Sequence, residues 1–152
     1  MSQFHKFKSW LQNVSFLTEQ DCSLFEPHLK TRAVKAKQIV LSEGQICREI
    51  GFINAGIFRM YYLSEDKEIN THFFFANEFV VDYDSFLQQK PGRYYIQALY
   101  DAEIVVFTLE TLQNGYDQSH NWERFGRTMA EYSYKLTTIR VESFLFLTGE
   151  QR

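Results

Sequence analysis

The chain has 152 residues, which is enough for one domain with a full hydrophobic core. Its net charge of −3 supplies no basic field and argues against non-specific binding of nucleic acid by this chain. Cys22 and Cys47 match no metal or disulfide motif, and no apolar run approaches the roughly 18 residues of a membrane span. We therefore expect a cytoplasmic chain with no membrane partner.

Two short helices are predicted at the start of the chain. Apolar residues recur at helical spacing between residues 3 and 12, with Phe7 and Leu11 among them. Thr18 is a good N-cap for a second helix, with Asp21 three residues further on. We expect both helices to cover a β core, while the amphipathic pattern of the first leaves binding to a membrane or a partner open as an alternative.

Strands dominate the region that follows Arg32. Runs of β-forming residues recur every eight to twelve residues, and turn signals such as Glu43-Gly44 and Asn54-Ala55-Gly56 separate them. Aromatic residues make up 17% of the chain, a content that suits pleated sheets. This spacing predicts a β-sandwich or barrel.

The segment from Phe73 to Leu99 interrupts the strand pattern. It turns at Asn77, carries a predicted helical turn from Phe79 to Gln88, breaks at Pro91-Gly92 and returns to a strand. Such a connection is longer than a hairpin needs, and extra length on a rigid scaffold is often where a ligand binds. The first turn of a helix also presents free N–H groups that suit an anion. A surface connection without a ligand is the alternative.

The last segment has the clearest periodicity in the chain. Its apolar positions are spaced alternately by three and four residues, which is the pattern of a heptad seam. A helix from Ser119 to Leu147 would be roughly 43 Å long, more than a small barrel covers, so we predict a parallel homodimer. The alternative is a helix folded wholly onto its own barrel. Gly126 predicts a close approach of another backbone to this helix. The predicted interface residues are Trp122, Phe125, Met129, Tyr132, Leu136 and Ile139.

The order of these elements resembles the effector domain of Crp/Fnr-type bacterial transcription regulators. The glycine-punctuated hairpins at 41–44 and 50–62 are similar to the family's first hairpins, and Phe144–Gly149 resembles its hinge. The resemblance implies a mainly β fold with flanking helices. It would be a double-stranded β-helix (jelly-roll) barrel with N-terminal helices at 1–118, followed by a long dimerisation helix and hinge at 119–152.

The resemblance also implies a ligand site that departs from the family's pattern. Cyclic-nucleotide-binding members carry a Gly-Glu pair for the ribose and an Arg for the phosphate. Here the pair reads Val80-Val81, and Gly92 falls near the Arg position. We therefore predict weak or no cyclic AMP binding, with a cyclic nucleotide or another small anion as the possible effector. The candidate ligand residues are Phe79, Val80, Val81, Asp82, Tyr83, Arg93, Tyr94 and Tyr95, with Lys135 and Thr138 from the long helix.

These observations predict the effector-sensing and dimerisation domain of a transcription regulator, not an enzyme. The family's DNA-binding helix-turn-helix domain would follow Arg152 and does not occur within these 152 residues. A constitutive dimerisation module, its pocket filled by its own aromatic rings, is one alternative. A cupin-like metalloenzyme is another, although the four scattered histidines predict no metal site. Asp82 and Asp84 do not share a helix face, so we read Asp82 as a helix cap.

Overall fold

The computed structural model describes residues 4–13 and 16–146. Two four-stranded antiparallel sheets lie face to face, and helices precede and follow them. The helices are α1 (His5–Gln12), α2 (Glu19–Phe25), α3 (Tyr83–Gln88), α4 (Leu109–Gln118) and α5 (His120–Phe146), with a 3₁₀ turn at Glu26–His28. The strands are β1 (Lys30–Val34), β2 (Ile39–Leu41), β3 (Glu49–Ala55), β4 (Phe58–Ser64), β5 (Lys67–Phe74), β6 (Phe79–Val80), β7 (Tyr95–Ala98) and β8 (Ala102–Thr108).

The two sheets have the strand orders β1-β8-β3-β6 and β2-β7-β4-β5. Strand β8 lies between β1 and β3, with Val105 opposite Thr31 on one side and Phe52 on the other. The prediction of a mainly β jelly-roll with flanking helices and a long C-terminal helix is confirmed.

The first sheet is buried on both faces. Ile104 and Val106 of β8 point between the sheets, and Val105 and Phe107 of the same strand are buried on the opposite face. Helix α1 covers part of that opposite face, where Phe7 packs on the Phe107 ring with centroids 6.1 Å apart. The predicted helical lid is therefore confirmed, and the apolar stripe of α1 covers the domain's own sheet.

Asp21 fastens α2 to the junction between α4 and α5. Its carboxylate accepts hydrogen bonds from the Thr18 backbone N–H at 2.8 Å, the Ser119 hydroxyl at 2.7 Å and the Asn121 amide at 2.9 Å. The predicted N-cap of α2 is confirmed as a complete capping box. Burial raises the pKa of Asp21, but these hydrogen bonds outweigh it, so the pKa lies below its ordinary value.

Trp122 and Phe125, at the start of α5, lie in the core of their own chain. The Trp122 ring stacks on Phe25 with centroids 3.9 Å apart, and its indole N–H donates to the Asp21 carbonyl at 2.6 Å. Both side chains are at most 5% exposed. The prediction that these two residues belong to a dimer interface is therefore wrong, because Phe25 of α2 and Trp10 of α1 already pack on them. Met129 is half-buried against the same core.

Two further predictions require correction. The close approach at Gly126 is to the phenol of Tyr116 in α4, which occupies the space of a Cβ atom, and not to another backbone. Helix α3 begins at Tyr83 and not at Phe79, because Phe79 and Val80 pair with β3 as strand β6. Asp82 caps α3 by accepting from the Ser85 backbone N–H at 3.3 Å, as predicted. The predicted hinge at 147–149 lies outside the described residues.

Candidate functional site

A cavity of about 520 Å³ opens between the two sheets, beneath the loop at residues 42–48 that joins β2 to β3. All four strands of the first sheet line one side of the cavity. Strands β2 and β7 of the second sheet and the β2–β3 loop line the rest. Six aliphatic side chains form its apolar lining: Leu41, Val80, Val81, Ile96, Ile104 and Val106. A volume of this size lies within the range of about 300–1,000 Å³ typical of small-molecule sites.

Charged side chains line the same cavity. Arg32 of β1 donates to both carboxylate oxygens of Glu49 in β3, at 2.7 and 3.2 Å. Arg48 is exposed and forms no ion pair within the described part of the chain. Two arginines and one glutamate therefore line the cavity, which leaves one net positive charge among these three side chains.

Hydrogen bonds join the β2–β3 loop to the segment that carries α3, residues 79–95, called the α3 segment below. Gly44 N–H donates to the Gly92 carbonyl at 2.8 Å, and Gly92 N–H donates to the Gln45 carbonyl at 3.1 Å. Cys47 N–H donates to the Ser85 hydroxyl at 2.9 Å, and that hydroxyl donates to the Lys90 carbonyl at 2.5 Å. The β2–β3 loop above the cavity and the α3 segment are therefore joined into one hydrogen-bonded unit.

Asp82 lies over Gly92, the position at which the family's phosphate-binding Arg was expected. A Cβ atom built on Gly92 would stand only 2.5 Å from the Asp82 carboxylate oxygen Oδ2. Any longer side chain at residue 92 would therefore displace Asp82. Burial raises the pKa of the Asp82 carboxyl, with a smaller opposing effect of the Ser85 hydrogen bond. An acid at this place disfavours a bound phosphate.

The structure places two of the ten candidate ligand residues, Val80 and Val81, in the cavity wall. Phe79 instead packs on Phe52, with ring centroids 5.6 Å apart, on the face covered by α1. Asp82 caps α3, and Tyr83 is half-buried against the core.

The remaining candidates stand apart from the cavity. Arg93 is exposed, and Tyr94 and Tyr95 pack on rings of β4. The Tyr95 ring stacks on Tyr61 with centroids 5.0 Å apart. On α5, Lys135 is exposed and Thr138 is half-buried. The ligand roles of all ten residues stay predictions.

No pattern in the sequence predicted the charged side chains at the cavity. Arg32 and Glu49 lie 17 residues apart on strands that are not paired with each other, and the sheet order alone brings them together. The one sequence signal near the cavity was the predicted turn at Glu43-Gly44. In the structure Gly44 has a φ of +88° and forms a sharp turn in the β2–β3 loop.

Among residues 4–13 and 16–146, no group of three or more His, Cys, Asp or Glu side chains is placed to hold a metal ion. The helices within these ranges are all too short or too polar to cross a membrane.

The family model of the cyclic nucleotide-binding domain matches residues 31–119. The match takes in every strand from β2 to β8, together with α3 and the cavity. The chain therefore belongs to the cyclic nucleotide-binding domain family. No sequence among curated proteins matches it.

Solved structures show the same fold. The sensor domain of the transcriptional regulator DNR from Pseudomonas aeruginosa matches with a TM-score of 0.73 at 12% identity, covering 97% of this chain and 99% of that one. The Thermus thermophilus Catabolite Activator Protein matches with a TM-score of 0.61 at 15% identity over 85% of this chain. The regulatory domain of Toxoplasma gondii PKA with cAMP matches with a TM-score of 0.65 at 10% identity, covering 84% of this chain and 50% of that one.

At these identities the structural matches establish the fold. The predicted resemblance to Crp/Fnr regulators is confirmed at that level. The chain spans 63% of the length of the Thermus protein.

Proposed function

We propose that this chain is the effector-sensing and dimerisation domain of a Crp/Fnr-like transcription regulator. One observation carries the proposal: the second half of α5 continues the heptad spacing of the first half but leaves its apolar side exposed. Tyr132, Leu136 and Ile139 are 59%, 48% and 63% exposed. The fold shared with the DNR sensor domain supports the same assignment.

A second copy of the chain is the partner that this apolar side fits. The spacing of three and four residues continues through Ser143 to Phe146, and a seam of that period is the one by which helices wind around each other. Val141, Phe144 and Leu145 add further exposed apolar surface near the same end. On this proposal, residues 1–118 form the sensing domain and residues 119–152 the dimerisation helix and hinge.

Cyclic AMP is not the effector that this site favours. The buried carboxylate of Asp82 lies against Gly92, and the neighbouring Arg93 points to solvent. A cyclic phosphate in the α3 segment would therefore face an acid and lack a charge-assisted partner, a loss of about 1.5–3 kcal/mol per contact. The effector is a different small molecule.

A chain of contacts runs from the cavity to α5. The Cys47 N–H of the β2–β3 loop donates to the Ser85 hydroxyl of α3, and the Tyr83 phenol of the same helix acts electrostatically on Tyr116 of α4. Burial, with a smaller contribution from the Tyr83 phenol, raises the pKa of Tyr116 to about 12. Tyr116 in turn packs into the notch at Gly126 of α5. An effector that shifts α3 would thus bias the position of the long helices.

Selection from random DNA duplexes tests the proposal. The full product of the gene and the 152-residue chain are each used to enrich bound sequences at fixed salt. We expect the full product to select a palindromic site, since a two-fold dimer presents two readers, and the short chain to select none. Sequence-specific binding by the short chain, or none by the full product, would refute the regulator assignment.

A constitutive dimerisation module is the second candidate. Tyr94 of the α3 segment packs edge-to-face on Tyr62 of β4, with centroids 6.3 Å apart, so this segment contacts the chain's own rings. This candidate predicts that no small molecule raises the melting temperature, whereas an effector that binds the folded state must do so.

A further inference from the structure

We propose that the effector occupies the cavity beneath the β2–β3 loop and is a small monoanion with an apolar body, such as a short- or medium-chain carboxylate. This inference rests on the proposed sensing function and names the place and the class of its ligand. It assigns binding to the cavity between the two sheets together with Arg48 of the β2–β3 loop, and not to Arg93 of the α3 segment.

The lining of the cavity selects the body of the ligand. Ile96 of the second sheet faces Ile104 and Val106 of the first across the cavity, and all three side chains are otherwise buried. Aliphatic side chains here offer dispersion contacts to an alkyl chain and no hydrogen bonds to a sugar or a base. A polar group placed against these aliphatic side chains would lose its hydration without replacement.

The charged side chains select the head group. The Arg32 guanidinium is already neutralised by the Glu49 carboxylate, which accepts two hydrogen bonds from it. Arg48 keeps an unmatched charge at the cavity and would donate to an anion in the geometry that carboxylates prefer. One unmatched positive charge fits one negative charge, so a monoanion matches the site and a neutral molecule of the same shape leaves Arg48 without a partner.

The place of the cavity explains how such a ligand would be sensed. Gly44, Gln45 and Cys47 contribute both to its wall and to the hydrogen bonds with the α3 segment. A ligand pressing on the loop therefore acts on the same residues that position α3. No contact between the ligand and α5 is required.

The test measures binding of hexanoate, octanoate and decanoate to the chain by titration calorimetry, with octan-1-ol as the uncharged probe. We expect at least one carboxylate to bind and octan-1-ol to bind at least tenfold more weakly. The variant Arg48→Gln should weaken carboxylate binding at least tenfold. The matched control Arg93→Gln removes an exposed arginine of the α3 segment and should change binding less than twofold.

A filling variant supplies a second reading. Val81→Phe places a ring in the cavity and should abolish carboxylate binding while the chain still unfolds cooperatively. Arg48 lies on the surface, so Arg48→Gln keeps the test decisive should Val81→Phe fail to fold. The inference is overturned if no carboxylate binds the folded wild-type chain, if octan-1-ol binds as well as octanoate, or if Arg93→Gln weakens binding and Arg48→Gln does not.

Sedimentation of the same samples separates this inference from the proposed function. A dimer that binds none of the three carboxylates overturns the ligand class and place alone. A chain that remains monomeric at high micromolar concentration overturns the sensing and dimerisation proposal on which the inference rests.

Discussion

The two halves of α5 share one spacing of apolar residues and differ in what covers them. In the first half, Trp122 and Phe125 are buried against α2 and α1 of their own domain. In the second half, Leu136 and Ile139 stand exposed at the same period. Periodicity reports that a helix has an apolar side, whereas the sheet and helices around it decide which part of that side already has a partner.

The largest expected effect is on the buried half. Trp122→Ala removes a fully buried ring, its stacking on Phe25 and its hydrogen bond to Asp21, and should lower the free energy of unfolding by about 3–5 kcal/mol. Urea unfolding of the purified chain measures it. Tyr134→Ala, in the exposed half, is the control and should cost less than about 0.5 kcal/mol. Equal losses for both variants would remove the distinction between the halves.

The next effect is on association. Leu136→Glu combined with Ile139→Glu puts two charges on the exposed seam, where a dimer would have to bury them without partners. We expect the dissociation constant of the dimer, measured by sedimentation equilibrium, to rise at least a hundredfold, which corresponds to about 2.7 kcal/mol. The monomer's thermal stability should stay unchanged because both positions are exposed in it. Tyr134→Glu, which lies off the seam, should leave the dimer intact; a monomer from this control would show that the interface lies elsewhere.

A smaller effect concerns the anchor of the buried half at Asp21. Its pKa is lower in the folded chain than in the unfolded one, so the stabilisation is present above the ordinary pKa of 3.8 and is lost as pH falls through the folded value. Asp21→Asn should cost about 1–3 kcal/mol at pH 6 and lessen the loss of stability between pH 5 and pH 3. Urea unfolding across this range is the measurement. Glu43→Gln removes an exposed carboxylate and should leave the profile unchanged; an unaltered profile for Asp21→Asn would contradict the assignment.

The smallest effect is at Gly126, within the buried half. Gly126→Ala gains about 1 kcal/mol of helix propensity but forces the new Cβ against the Tyr116 ring, which costs about 1–3 kcal/mol. We expect a net loss near 1 kcal/mol in thermal unfolding. In a Tyr116→Ala background the same substitution should become neutral or stabilising, since the ring is gone. If it destabilises equally in both backgrounds, Tyr116 is not the cause.

Local patterns in the sequence predicted most of the fold because they are set by neighbouring residues. The Thr18–Asp21 capping box, the positive φ at Asn77 and the length of α5 each depend on a few adjacent positions. The start of α3 was missed because β6 is only two residues long, and Phe79 and Val80 become a strand solely by pairing with β3. That pairing depends on residues some 30 positions away.

The candidate site was harder to predict for the same reason. Val81, Arg32 and Ile104 line one cavity although they belong to three different strands or loops. No spacing rule joins them, since the sheet order determines their distance. Val80 and Val81 were predicted from the family resemblance. The resemblance identifies the segment in which the family carries its ligand motif, but not the residues on the other strands that line the cavity with it.

The division of α5 gives the helix the mechanics of a lever. The stretch from Trp122 to Met129 is held by the domain, and the helix runs on from Met129 to Phe146 for about 25 Å along its axis. A tilt of about 5° in the held part would swing the far end by roughly 2 Å. Gly126 lies in the held part, against the Tyr116 ring. A small shift of that ring that tilts the held part would therefore move the Phe146 end of the helix by a larger distance.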